Sequence, residues 1–187
     1  MPPETIYYHR HLPHWQPRGV DLFITWRLHG SLPAGLRPPK PIEDTGKHFA
    51  KVDKLLDQAR TGPLWLNDPR VAETLLTALH TAPSRQLFRL AAYAIMVNHV
   101  HILLTPLAPI GEITRQIKGA TARQANLILQ RTGLPFWQDE SFDHWVRNPG
   151  EWQKIRTYIE RNPVAAGLVA KPEDWPWSSA AKVGQQQ

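Results

Sequence analysis

The stretch MVNHVHILL, residues 96–104, constrains this chain more than any other. Its composition is that of a strand, and side chains alternate across a strand. His99 and His101 therefore share one face, while Val100, Ile102 and Leu104 share the other. The apolar face asks for a core. The opposite face carries two imidazoles about 7 Å apart at their origins. Such a pair can grip one cation, or can stand as polar residues on a solvated face.

The flanking sequence tells what the strand belongs to. QLFRLAAYAIMV (86–97) and HVHILLT (99–105) read as two strands meeting at a tight Val97-Asn98 turn. GVDLFITWRLHGSLP (19–33) gives a strand around Leu22–Leu28, stopped by Gly30 and Pro33. Residues 33–42, PAGLRPPKPI, are a proline-rich loop. In 43–62, Phe49, Val52, Leu55, Leu56 and Ala59 recur at helical spacing before Gly62-Pro63 closes the segment. A second helix spans 67–83, with Asp68 as cap, Pro69 in the first turn and Val71, Leu75, Leu76 and Leu79 on one face. A long helix follows over 111–133, with Arg115, Lys118 and Arg123 on its exposed side. PFWQDESFDHWV (135–146) is extended, a fourth strand or its approach. A last helix runs from Glu151 to Arg161 and ends at Asn162-Pro163, because a residue before proline disfavours helical geometry. The tail from Lys171 onward is loop-like.

Strand, helix, strand, strand, helix, strand is the order of a ferredoxin-like α+β fold. The expected architecture is an antiparallel sheet with helices on one face and an extra C-terminal helix. The histidine hairpin then lies near the sheet centre, with the other face free for a site. The 187 residues suggest one domain, with a core over about 19–170, an N-terminal arm at 1–18 and a C-terminal tail at 171–187.

Composition narrows the chemistry. Without cysteine there are neither disulfides nor thiolate metal sites. No apolar run approaches the roughly 18 residues of a membrane span, and the N-terminus lacks the apolar core of a signal peptide. A net charge of +6 suits a polyanionic partner, since Lys and Arg neutralise phosphates. Eight tryptophans could stack unpaired bases; Trp137, Trp145, Trp152, Trp175 and Trp177 serve equally well as core or as stacking platform.

A second informative stretch is TYIERNPVAAGLV, 157–169. Tyr158 and Asn162 are four apart, one above the other on a helix face. With YAIMVNHVHILL (93–104), FWQDESFDHWV (136–146) and YIERNPVAAGLV (158–169), the chain resembles the HUH single-strand nucleases. Within them it is similar to the REP-associated tyrosine transposases, relatives of the insertion-sequence transposases that act on single-stranded DNA. ITWRLHGSLP (24–33) and GPLWLNDPRVAETL (62–75) look like the N-terminal segments of a subgroup. Two positions depart from the family's pattern, Val97 where proline is commoner and Ala165 where a basic residue is common. The first loosens the hairpin turn, and the second removes one phosphate contact.

The resemblance implies a function. His99 and His101 would hold Mg²⁺ or Mn²⁺, with Asn162 as third ligand through its amide oxygen. Tyr158 would attack phosphorus, forming a 5′-phosphotyrosine and releasing a 3′-hydroxyl, so that both cleavage and strand transfer are possible. The implied partner is single-stranded or hairpin DNA of palindromic extragenic repeats, with Arg115, Lys118 and Arg123 as candidate phosphate contacts. The protein would act in the cytoplasm, at the nucleoid, as a monomer or homodimer. The alternative is a domesticated, catalytically weak hairpin-binding relative. A histidine-triad hydrolase would need a third histidine where Leu103 stands, and a ferredoxin-like RNA-binding domain would want aromatics in place of the two histidines.

Overall fold

Strands β4 (Phe88–Ile95) and β5 (His99–Pro106) form the antiparallel hairpin expected from the sequence, turning at residues 96–98. The computed structural model describes residues 5–9, 13–17, 19–32, 45–58, 62–81 and 86–181. The proline-rich loop at 33–42 and Ala59 lie outside them. Strand β3 (Leu22–Arg27) pairs antiparallel with β5, and β6 (Phe142–Trp145) pairs with β3, giving the sheet order β4-β5-β3-β6. The ferredoxin-like topology follows, with β5 and β3 as the two central strands.

Alternation assigns the two faces. Ile24, Trp26, Val100, Ile102 and Leu104 join Tyr93 and Ile95 in the larger core. Helices α2 (Pro69–Thr81) and α3 (Ile110–Ile128) cover this face with Val71, Leu75, Leu79, Ile113 and Ile117. Asp68 caps α2 as expected, its carboxylate accepting from the Arg70 amide at 3.0 Å. A register shift between Leu90 and Ala92 explains why β4 does not alternate strictly. The extra residue puts Phe88 on the same face as Tyr93 and turns Ala92, Ala94 and Met96 to the other.

That other face carries Phe23, Leu103 and the two histidines, and it is not open. Helix α4 (Pro149–Ala165) packs Ile159 onto Phe23, Ala92, Ala94 and Leu103. Helix α1 (Thr45–Asp57) lies on the same face through Phe49, whose ring stacks on Phe142 at 4.3 Å and meets Phe23 edge-on at 5.3 Å. The histidine face is therefore a second interior. Burial of both imidazoles removes the solvated-face alternative.

Helix α4 runs past Arg161, where the sequence ends it, and carries Pro163 inside its last turn. Proline removes only one amide donor, and here it lies close enough to the terminus for the ladder to resume. The Ala166 amide donates to the Asn162 carbonyl at 2.9 Å. Asn162 is thus held in helical register rather than at a frayed end.

At the N-terminus, β1 (Thr5–His9) and β2 (Pro13–Pro17) form a separate two-stranded hairpin in the segment read as an arm. The C-terminal segment lies along β4, with Ile95 N–H donating to Trp177 O at 2.8 Å and Ser179 N–H to Tyr93 O at 2.9 Å. This covers an otherwise unpaired sheet edge. Trp26 and Trp137 are core residues, Trp145 and Trp177 pack against that core, and Trp152 against the second. Among the described residues no tryptophan is an exposed platform. No helix among them is long and apolar enough to cross a membrane.

Candidate active site

The hairpin positions the two histidines, and their neighbours decide which ring nitrogen faces where. Asn98 is fully buried and donates from Nδ2 to the Leu56 carbonyl of α1 at 3.0 Å. A carbonyl can only accept, so the amide oxygen of Asn98 must face His99 Nδ1, 2.7 Å away. His99 therefore carries its proton on Nδ1 and presents the Nε2 lone pair to the interior. Opposite His101 in the ladder stands Thr25, with its hydroxyl 2.7 Å from Nδ1. A hydroxyl can donate or accept, so His101 can adopt either tautomer. The two Nε2 atoms lie 3.0 Å apart. One must donate to the other, or both lone pairs must share a cation.

Helix α1 brings a carboxylate to this point. Asp53 is 2% exposed, with Oδ1 3.4 Å from His101 Nε2 and 3.7 Å from His99 Nε2. Asp57, one turn later, places Oδ1 3.6 Å from His99 Nε2. Helix α4 supplies the rest. The Tyr158 hydroxyl donates to Asp53 Oδ2, and Asn162 Nδ2 lies 3.5 Å from the same oxygen. The Tyr158 ring packs against His101 with centroids 5.7 Å apart, yet 38% of the residue remains exposed.

The electrostatics follow from burial. Desolvation, reinforced by the charge of Asp57 and opposed by the Asn162 amide, pushes the Asp53 carboxyl up to about 8. Burial raises Asp57 to about 6. It lowers His99 to about 3, and burial together with the His99 charge takes His101 well below its ordinary value. Both imidazoles are neutral at physiological pH, the form in which imidazole ligates metal.

Asp53, His99 and His101 offer ligand atoms that all lie within 4.8 Å of one another. The side-chain oxygens Asp53 Oδ1, Asp57 Oδ1 and Asn162 Oδ1 are buried without a hydrogen-bond partner. Three orphaned oxygens beside two lone-pair nitrogens form a donor set that lacks an acceptor of electron pairs. The 3.0 Å between the nitrogens matches neighbouring corners of an octahedron, which for bonds of about 2.1 Å lie about 3.0 Å apart. The residues fit a divalent cation.

A sequence profile of the family described as "Transposase IS200 like" matches residues 63–162, more than half of the chain. The chain belongs to the IS200-like transposases. A REP-associated tyrosine transposase of Escherichia coli (strain K12) is 28% identical over 97 residues, covering 49% of this chain and 54% of that protein. The chain thus matches about half the length of this curated relative. A solved structure of a REP-associated tyrosine transposase bound to a REP hairpin superposes with a TM-score of 0.55. It is 19% identical and covers 92% of this chain and 81% of that one, a likeness of fold.

In this IS200-like transposase the four residues expected from the sequence, His99, His101, Tyr158 and Asn162, meet in one cluster within a single chain. The three basic residues expected to contact phosphates do not approach it. Arg115, Lys118 and Arg123 lie on α3, the layer on the opposite side of the sheet. Lys118 Nζ donates to the Gln138 carbonyl at 2.6 Å. Sequence reasoning missed Asp53 and Asp57. Asp53 sits one turn after Phe49 and three residues before Leu56, on the face that should be apolar. A carboxylate at a core position was the available signal.

Proposed function

We propose that this transposase is a metal-dependent single-strand DNA endonuclease and strand transferase, with Tyr158 as nucleophile. One observation carries the reading. The Tyr158 hydroxyl bonds the same carboxylate that faces the histidine pair, so nucleophile and cation site adjoin.

His99 and His101, Asp53 and Asn162 would hold the cation, Mg²⁺ or Mn²⁺ being the family's usual ions. When bound, it supplies positive charge to a phosphoryl oxygen as negative charge develops there. A free tyrosine hydroxyl with a pKa of about 10 is a weak nucleophile at neutral pH. Asp53 Oδ2 holds that hydroxyl by its hydrogen bond and fixes the phenol at the edge of the cluster. Ring contacts with Phe23 at 6.1 Å and Phe49 at 6.3 Å keep Tyr158 from rotating away. Attack would form a bond from the tyrosine oxygen to phosphorus and break the bond from phosphorus to O3′, the proton given up by the phenol balancing the one that O3′ takes on to become a hydroxyl. The phosphotyrosine retains the bond energy, so a 3′-hydroxyl can reverse the step and join strands. The substrate class, hairpin DNA with a single-stranded flank, rests on the REP hairpin bound by the structural relative. Both histidines are fully buried beneath α1, so α1 must shift for a phosphate to enter.

The test is covalent capture. A hairpin labelled at its 3′ end is incubated with the protein and Mn²⁺, denatured and resolved by electrophoresis. Labelled protein is expected with the wild type and none with Tyr158→Phe, which keeps the ring packing. A covalent band in the Phe variant would move the nucleophile elsewhere; cleavage without a band in the wild type would indicate attack by water. Binding without either would favour the domesticated hairpin-binding alternative.

A further inference from the structure

Helix α4 sorts its charges. Glu151 is occupied by His144 Nε2 at 3.0 Å and the Arg147 amide at 2.7 Å. Glu160 is occupied by Arg156 at 3.1 Å and the Ser179 hydroxyl at 3.3 Å. Neither carboxylate lines the groove of about 650 Å³ that runs along the outer side of the helix. Lys154 and Arg161 do, together with Gln153, Thr157, Tyr158 and Asn162. Both cations are exposed and make no ion pair among the described residues.

Their spacing is regular. At 3.6 residues per turn, Lys154, Tyr158 and Arg161 fall within about 60° of arc. Lys154 lies about 6 Å along the axis before Tyr158 and Arg161 about 4.5 Å beyond it. An exposed cation thus stands on either side of the tyrosine, in a line, above a floor that includes the buried Asn162.

We propose that the outer face of α4 is a track for one polynucleotide strand, on which Lys154 and Arg161 hold the phosphates flanking the one presented to Tyr158. The proposal rests on reading Tyr158 as the nucleophile and adds which residues place the strand. Cations in single file match a polyanion whose charges repeat along one line. The groove is lined by no acid and includes the part-exposed Tyr158, so a strand laid along it passes beside the tyrosine. Arg115 and Arg123, equally basic and exposed, lie on the far layer and take no part in this track.

The experiment measures binding apart from chemistry. Fluorescence anisotropy of a labelled hairpin with a single-stranded flank is followed over a range of salt, with the full chain carrying Tyr158→Phe. For single strands, affinity varies with salt to about the power −0.7 per neutralised phosphate. One lost contact is therefore worth about fivefold at about 0.1 M salt relative to 1 M. Lys154→Gln and Arg161→Gln are each expected to lower affinity about fivefold and the salt exponent by about 0.7. Lys154→Arg and Arg161→Lys should restore both, while Arg115→Gln and Arg123→Gln leave them unchanged. Thermal melts of each variant verify folding. Wild-type affinity and salt exponent in both Gln variants would overturn the track, as would an equal loss from Arg123→Gln or displacement of the strand by poly-glutamate as effective as by unlabelled strand. If the wild type forms the covalent adduct while the Gln variants bind unchanged, the nucleophile stands and the track falls. If no adduct forms but the Gln variants lose affinity as expected, the track stands and the nuclease falls.

Discussion

Replacing Asn98 by alanine removes a side chain that joins three parts of the site. Its amide bonds the Leu56 carbonyl of α1 at 3.0 Å and accepts from His99 Nδ1 at 2.7 Å. Asn98 and His99 are both fully buried, so water cannot replace the lost partner. Each polar group left without a partner costs about 1–3 kcal/mol. Two such groups give a loss of about 2–6 kcal/mol in stability, read as a lower urea midpoint at unchanged slope. The same change frees the His99 proton to move to Nε2, which turns the lone pair away from the cluster. Loss of a partner that orients a metal-binding histidine typically costs about 10–100-fold in metal affinity. Imidazole ¹⁵N shifts of metal-free protein should show His99 protonated on Nδ1 in the wild type and mixed tautomers in Asn98→Ala. Asn98→Asp keeps an acceptor for Nδ1–H and loses the donor to Leu56, so it should retain the tautomer while exposing α1 amides to faster hydrogen exchange. An Asn98→Ala protein with wild-type stability and an unmixed Nδ1–H tautomer would refute the reasoning.

Three further outcomes are expected. With Asp53 raised to about 8 in the folded chain, against an ordinary value of 3.8, the folded state holds the proton that the unfolded state has released. Its contribution is full below about 4 and is lost as pH rises toward 8. The histidines, lowered in the fold, oppose this only below about 6.5, where the unfolded state binds their protons. Metal-free protein should therefore lose about 1–2 kcal/mol of stability between pH 6.5 and 8, and a flat melting profile across that window would contradict the assignment. Asp53→Asn should abolish that decline and weaken Mn²⁺ binding at least about tenfold by isothermal titration; unchanged affinity would remove Asp53 from the ligand set. Gly62 has φ +80° and its added Cβ would strike the Gly30 backbone, so Gly62→Ala should cost at least about 2 kcal/mol in denaturant unfolding. A neutral effect would mean that the two segments separate readily.

Much of the fold was legible because period and punctuation report local geometry. The alternation in HVHILL placed Val100, Ile102 and Leu104 together, and they lie together in the core. Asp68 and Pro69 marked the start of α2 within two residues of its observed position. The separation of Tyr158 from Asn162 is a property of any helix, and it survived the wrong terminus assigned at Pro163. The side of the sheet on which a helix packs has no local signature. Arg115 and Arg123 look, as residues, no different from Lys154 and Arg161, and only the packing of α3 and α4 on opposite faces separates them. The same holds for Asp53, which meets the histidines across 46 positions of sequence through the placement of α1. The chain by itself determined the strand that carries the imidazoles and the helix that carries the phenol. Tertiary structure decided that α1 covers them, because burying Leu56 and packing Phe49 against the second core carries Asp53 down onto the histidine pair. That one packing event brings the carboxylate to two histidines and a tyrosine from which it is distant in the sequence.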